Sequence, residues 1–531
     1  MIDARRLLSS ARTALGKRHN LLALILFAGF AVRLWQFPSV PGGLNVDEAS
    51  MGYDAWSLLH YGIDRNGFPF PVFLVAWGSG MNALASYLSM PFIWLFGLNV
   101  FSVRIVNLLA GLLTLPLWYA TVKKVAGEKT AVLALFLLAV CPWHIMLSRW
   151  GLESNLLPPV FLLGVFLLLH AGEKKWIYPL ACVVFGVTLY AYGTAYVATP
   201  LFLAVSTAYL LWHRKISKTE LLWGAGAFVI VSVPIALFLQ INLLRLPSII
   251  TPFFSIPRLP GVPRYETVSV LFSDYTLRYA IGMAMNVWTV LTMGDGLLWN
   301  VIPGIGALYP WTPALAVLGL ILLAGTVRQS VRSYAPGILM LLWTLSAFLM
   351  SIVLYPNLNR VNLLLLPVLY LAALGLLELW RTPFVAKAVL TLYLFCFVGF
   401  VWTYFGNYAL SINYRFRETL GIAIRGASAG TDERICVTDE SDPYSFPYIR
   451  VLFEMKIPPR EYLATRRVGH RPGEFEDVKS FGRYAFGLRS CLGSYGAYVM
   501  DPTEAERVRG RALHMEHYGD YIVAYPMTKQ N

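Results

Sequence analysis

Two adjacent carboxylates, in Asn45-Val46-Asp47-Glu48, stand just past the first apolar run long enough to cross a bilayer. Ionised side chains are expensive close to hydrocarbon, so an acidic pair in that place points to function. A carboxylate there suits two chemistries. It can take a proton from an acceptor hydroxyl as general base, or it can bind a divalent cation through oxygen. The next residues, Ala49 to Trp56, have the pattern of an amphipathic helix, with Asn45 as N-cap and Glu48 completing a capping box. Helix-start chemistry alone is the bland alternative, since acids favour the positive end of a helix dipole, which also keeps both ionised. One acid would satisfy a cap; two beside a large loop favour a site.

Arg149 and Glu153 come next, in Ser148-Arg149-Trp150-Gly151-Leu152-Glu153-Ser154-Asn155. Four-residue spacing allows an ordinary helical ion pair, and the functional alternative is an acid and a cation facing the same cavity as Asp47. Arg360, with Asn359 before it, opens a late apolar run, and Arg104 opens an earlier one in Phe101-Ser102-Val103-Arg104. Arginine is the preferred residue for bidentate phosphate recognition, and snorkelling toward lipid headgroups is the competing role. Arg245, Arg258, Arg264 and Arg278 raise the same possibility more weakly. His144 reads as packed or hydrogen-bonded, and Tyr190, Tyr192 and Tyr196 as an interfacial belt or a surface for stacking on sugar. Gly294-Asp295-Gly296 reads as a turn. If a divalent metal ion is used, Asp47, Glu48 and Glu153 are its candidate ligands; the sequence assigns no cofactor. No phosphate-cradling glycine loop, Walker pattern or G-x-S-x-G elbow is present, which disfavours nucleotide-driven transport.

The elements that must hold these residues are those of a polytopic α-helical membrane protein. The chain has 531 residues, 57% hydrophobic and only 14% charged, with a mean hydropathy of +0.59. The net charge of +14 does not indicate nucleic acid, because the cations cluster beside apolar runs. Spans are expected near 21–37, 101–122, 130–147, 154–170, 177–195, 196–212, 220–240, 311–327, 335–355, 361–380 and 384–405, about eleven transmembrane helices. Arg5, Arg6, Arg12, Lys17 and Arg18 place the N-terminus in the cytoplasm, and no cleavable signal is apparent. Alternation then puts Lys123-Lys124, Lys174-Lys175, Arg214, Lys215, Lys218, Arg328, Arg332, Arg381 and Lys387 inside, as the positive-inside rule requires. Residues 1–406 form the expected transmembrane domain, with external loops near 38–99 and 241–310. The apolar stretch 81–98 is assigned to a helix lying along the interface.

Composition turns soluble after 406, and 407–531 is expected to be an extracytoplasmic α/β domain. Residues 434–439, 497–501 and 519–525 read as strands, and Asp501-Pro502-Thr503-Glu504 as a helix start. Cys436 and Cys491 both fall there, and a disulfide and two buried free thiols are equally open.

Together these pieces resemble the membrane glycosyltransferases of the C-type (GT-C) fold, and within it bacterial members of the protein O-mannosyltransferase and aminoarabinose-transferase superfamily. The likeness rests on Asp47-Glu48-Ala49, Met51-Gly52-Tyr53-Asp54, Phe101 to Arg104 and Pro142 to Asn155, and continues at Pro356 to Arg360. It implies a sugar donor on a polyprenyl phosphate, Asp47 as or beside the catalytic base, and Arg149 or Arg360 stabilising the leaving phosphate, which leaves Glu48 as cap or supporting ligand. The expected partners are that donor, an acceptor protein, glycolipid or wall polymer, and membrane lipids, at the outer face of a bacterial plasma membrane. One departure stands out: Trp77-Gly78-Ser79-Gly80-Met81-Asn82 replaces a Lys-Pro-Pro-like stretch common in relatives. A transporter or flippase of a lipid-linked precursor is the alternative, but transporters place charged sites near mid-membrane, whereas these candidates cluster at external span ends.

Overall fold

A computed structural model of the chain describes residues 4–77, 79–261, 276–330, 335–439, 446–469, 476–488, 491, 495–507 and 513–527. Each of the eleven expected apolar stretches falls largely on helix. Among the described residues, five helices are long and apolar enough to cross a membrane: Val100–Ala139, Ala195–Trp212, Lys218–Leu243, Leu358–Leu379 and Pro383–Phe405. Six further apolar helices run to 10–17 residues. One expected boundary moves. Residues 101–122 and 130–139 lie on two helical segments, 100–126 and 128–139, that meet at a kink at Gly127, where φ is 80°. Only glycine takes that conformation cheaply, so Gly127 turns the chain without a loop. The expected stretch 130–147 is instead broken at Val140 and Cys141, before the short helix Pro142–Leu147.

Three helices bear most directly on the polar groups of the first loop and the late apolar run. Val46–Tyr61 lies in the first large loop, with nearly all of its residues from Glu48 to Leu58 buried. Leu84–Phe96 is the expected helix of the 81–98 stretch, with Leu88, Trp94, Leu95 and Phe96 exposed along it. Leu358–Leu379 is the most buried of the five long apolar helices. It crosses Thr312–Ser330 with backbones close together: a Cβ on Gly319 would strike the Leu371 carbonyl oxygen, and one on Gly375 that of Leu315. Such small-residue contacts are how apolar helices lock without a hydrophobic driving force between them. The start of this helix, carrying Asn359 and Arg360, is thereby fixed in height.

The tail carries a seven-stranded sheet in the order Leu513–Tyr518, Tyr521–Pro526, Ala497–Met500, Ile435–Val437, Tyr484–Phe486, Asp477–Phe481, Arg467–Gly469. Ile435–Val437 runs parallel to both its neighbours, and the other pairings are antiparallel. All three expected strands are present. Glu504 N–H donates to Asp501 Oδ1 and Asp501 N–H to Glu504 Oε2, which is the expected helix start. Cys436 and Cys491 are bonded, closing a loop of 55 residues. The tail does not keep its apolar core to itself. One cluster runs from Phe446, Tyr448 and Phe453 into Tyr53, Trp77 and Val103. Tyr53 O–H donates to the Ile457 carbonyl (2.6 Å), and Gly52 leaves room for the Phe453 ring.

Replacing Cys436 and Cys491 together by serine is expected to cost about 2–4 kcal/mol, from the restored freedom of that loop in the unfolded chain. Thermal unfolding in detergent, without reductant, measures it. An unfolding temperature equal to that of the wild type would contradict the bridge.

Candidate active site

The helix Val46–Tyr61 begins as its sequence demands. Asn45 Oδ1 accepts from the Asp47 N–H (2.9 Å), and Glu48 Oε2 accepts from the Asn45 N–H (2.9 Å), closing the capping box. Consecutive helical residues point about 100° apart, so the two acids cannot serve one place. Glu48 turns inward and is fully buried. There Arg104 grips it with two charge-assisted bonds, Nε to Oε1 and Nη2 to Oε2, both 2.7 Å, and the Gly151 N–H donates to Oε1 (2.6 Å). The same guanidinium donates to the carbonyls of Pro38, Pro41 and Gly43. The sequence offers Glu48 as a catalytic group and Arg104 as a phosphate-binding one. The structure makes them each other's partner, because a buried charge is tolerated only when paired and fully hydrogen-bonded.

Asp47 turns the other way, onto a cavity of about 510 Å³. Glu153, Asn359 and Arg360 line it too, with Asn82, Tyr192, Tyr196 and Asn357. Four residues of the Trp77-to-Asn82 segment besides Asn82 face it: Trp77, Ser79, Gly80 and Met81. The remainder of the wall is largely apolar, including Phe73, Phe238, Leu259, Trp299, Met350 and Leu354. Several of these polar groups are held by neighbouring parts of the chain. Trp77 Nε1–H donates to Asp47 Oδ1 (3.0 Å). The Asn82 N–H donates to Glu153 Oε2, while its side-chain amide donates to the Leu189 carbonyl and the Tyr196 hydroxyl, both 2.9 Å. Asn357 caps the helix Leu358–Leu379 by accepting from the Arg360 N–H (2.9 Å). Arg360 Nη1 donates to the Tyr355 carbonyl (2.7 Å).

Arg149 does not reach this cavity. Its guanidinium is buried and donates to the carbonyls of Val32, Arg33 and Val40, against the ring of Phe405. The helical ion pair with Glu153 has no helix to form on, since Pro142–Leu147 ends before Arg149 and a short 3-10 turn starts at Glu153. Arg245, Arg258 and Arg278 do not line the cavity, and Arg264 lies outside the described residues. His144 is buried with Nδ1 at 2.8 Å from Arg33 Nη2, a packed and bonded histidine. Among the described residues no group of three or more His, Cys, Asp or Glu side chains converges on a point. With both Glu48 oxygens engaged by Arg104, the proposed metal set falls to Asp47 and Glu153.

Two features escape the sequence reading. Asp295 makes its expected turn through Oδ1 to the Leu297 N–H (3.1 Å). Its other oxygen accepts from Asn300 Nδ2 (2.7 Å) and from the Leu358 N–H (2.9 Å), pinning the helix that carries Asn359 and Arg360. The second is a fully buried cluster of Asp54, Asp64 and Arg65, with Arg65 Nη2 at 3.2 Å from Asp54 Oδ2. Burial pushes the Asp64 and Asp54 carboxyls above the usual carboxylate range, the charge of Asp54 adding to the rise at Asp64 and the neighbouring Arg65 opposing it at both. The Arg65 guanidinium lies 5.4 Å from the centre of the Trp77 ring.

Residues 83–238 match the model of the dolichyl-phosphate-mannose-protein mannosyltransferase family. The chain superposes on ArnT from Cupriavidus metallidurans bound to undecaprenyl phosphate, at a TM-score of 0.54 and 14% identity, covering 97% of this chain and 99% of that one. The fold is that of the C-type membrane glycosyltransferases. The apo form of the same ArnT gives a TM-score of 0.51 at 12% identity, over 96% and 98% of the two chains. No curated protein sequence matches. The partial family match and the likeness of fold point to the same class of protein.

Because Glu48 is an anchor, Glu48→Gln is expected to lower stability by about 3–5 kcal/mol, leaving Arg104 buried and uncompensated. Asp47→Asn, on the half-buried cavity wall, is expected to leave stability within about 1 kcal/mol. Thermal unfolding of the two variants in one detergent checks this. Equal unfolding temperatures would contradict the division of roles.

Proposed function

We propose that this chain moves a sugar from a polyprenyl-phosphate-linked donor to an acceptor hydroxyl, with inversion, at the outer face of a plasma membrane. The single observation that carries the reading is the cavity itself. It sets a carboxylate, Asp47, and a guanidinium, Arg360, in one lining whose remaining wall is largely apolar. That combination suits an amphiphile with a polar sugar phosphate and a prenyl chain. The expectation of about eleven spans, a cytoplasmic N-terminus and an extracytoplasmic tail domain from 407 belongs to the same proposal, supported by the basic short loops.

The chemistry follows from those positions. Asp47 takes the proton of the acceptor hydroxyl as its oxygen attacks the anomeric carbon. The bond from that carbon to the phosphate oxygen breaks on the opposite face, and its electron pair stays on the lipid phosphate. Arg360, assisted by Asn359, stabilises the charge that develops there. Glu153, fixed by the Asn82 N–H, holds sugar or acceptor hydroxyls. Similarity supports the donor class: the matched family is named for a dolichyl-phosphate mannose donor, and the superposed ArnT binds undecaprenyl phosphate.

The assay is release of free polyprenyl phosphate from a panel of radiolabelled polyprenyl-phosphate sugars, with the chain in lipid nanodiscs. Asp47→Asn is expected to lower turnover by roughly 10²–10⁴-fold, the usual worth of a positioned base. Arg360→Gln is expected to weaken polyprenyl-phosphate binding by about tenfold or more, the worth of a charge-assisted bond. Undiminished turnover in Asp47→Asn would overturn the base assignment. Sugar movement across liposomes without bond cleavage would overturn the enzyme.

A further inference from the structure

We propose that Trp77 is a positioning residue for Asp47, and that the tail of the chain holds it in place. This rests on the reading of Asp47 as the base. Four observations converge on one side chain. Trp77 is only 4% exposed, yet its backbone is left-handed, with φ at 59°. A bulky residue seldom adopts that conformation, and where it persists the surroundings must enforce it. Its indole N–H meets Asp47 Oδ1 at 3.0 Å. Its ring packs on Phe446, 4.5 Å between centres and 32° apart, with Tyr448 edge-on at 6.2 Å. Arg65, bound to Asp54 and to the Ser50 hydroxyl, stands 5.4 Å from the same ring.

A base must present its lone pair along a defined line to the departing proton. A carboxylate turns about its last torsion with little resistance, because that torsion is broad. The indole N–H removes this freedom by holding one oxygen. With the ring packed against Phe446 and Arg65, its polar edge is what Trp77 brings to Asp47. Phe446 and Tyr448 come from the far end of the sequence, so the tail contributes to the site through this contact.

The test compares Trp77→Phe, Phe446→Ala and Asp47→Asn in the full chain in nanodiscs, with kcat and donor KM measured separately. Trp77→Phe keeps a ring and removes the donor. It is expected to lower kcat about 10- to 100-fold, the worth of a hydrogen bond to a charged group. Donor KM is expected to stay within about twofold, because the lost bond serves the base and not binding. Phe446→Ala, which leaves the N–H in place but unbraced, is expected to lower kcat several-fold in the same sense. A kcat for Trp77→Phe within twofold of wild type, with Asp47→Asn inactive, would overturn the positioning role alone. Normal turnover in Asp47→Asn would overturn the base reading beneath it. If Trp77→Phe lowers the thermal stability of the reconstituted protein, Phe446→Ala decides: unchanged kcat, or a donor KM that rises in step with the fall in kcat, counts against the proposal.

Discussion

The buried pair of Glu48 and Arg104 is the interaction on which the site depends. Its two ends belong to different elements, the first-loop helix and the long helix from Val100. The Arg104 guanidinium also ties down the turn of chain from Pro38 to Gly43, and Glu48 reaches on to the Gly151 N–H. Four segments are thus joined at one point out of contact with water. Paired charges of this kind give little net stability against an apolar substitute, but breaking one is costly. Their use here is geometric. Once Glu48 is held inward, the helical turn leaves Asp47 nowhere to point but at the cavity.

The opposite wall is fixed by a second set of ties of the same type. Asp295 and Asn357 satisfy backbone donors at the start of Leu358–Leu379, and that helix is locked by close contact with Thr312–Ser330. Orphan amides at a helix start must find acceptors. Here the acceptors come from the second large loop and from the residue just before the helix. Arg360 is placed by this arrangement, since its own N–H is one of those donors. The two halves of the cavity are therefore built from separate stretches of sequence, each anchored independently of any ligand. Pre-organisation of that sort is what a site needs if charge is to be stabilised as it develops.

Much of this was legible in the sequence. The acidic pair, its capping box, the apolar stretches and three tail strands all follow local rules, and local rules read well from one chain. Tertiary partnership does not. Arg104 and Arg360 look alike as arginines near the start of an apolar run, yet one meets a carboxylate 56 residues away and the other a cavity. Arg149 finds carbonyls from residues 32–40 because the chain turns there, and nothing in its neighbours announces that turn. Asp295 was readable as a turn residue, but its second oxygen acts across 63 residues. Of the other four strands of the sheet, three lack an alternating pattern and Leu513–Tyr518 alternates only over Leu513 to Glu516; Arg467-Val468-Gly469 is mostly exposed on an edge of the sheet. The charge-pair logic that would have paired Arg104 with Glu48 was available: an acid and an arginine, both beside apolar runs, each need a partner.

The most direct measurement is a cryo-electron microscopy structure of the chain in nanodiscs with polyprenyl phosphate bound. The predicted result has the phosphate within hydrogen-bond distance of the Arg360 guanidinium and the prenyl chain along Phe238, Leu259 and Met350. Asp47, not Glu48, should face the phosphate across the cavity. Phosphate density bound elsewhere, or a Glu48 carboxylate released from Arg104 to meet it, would contradict these roles.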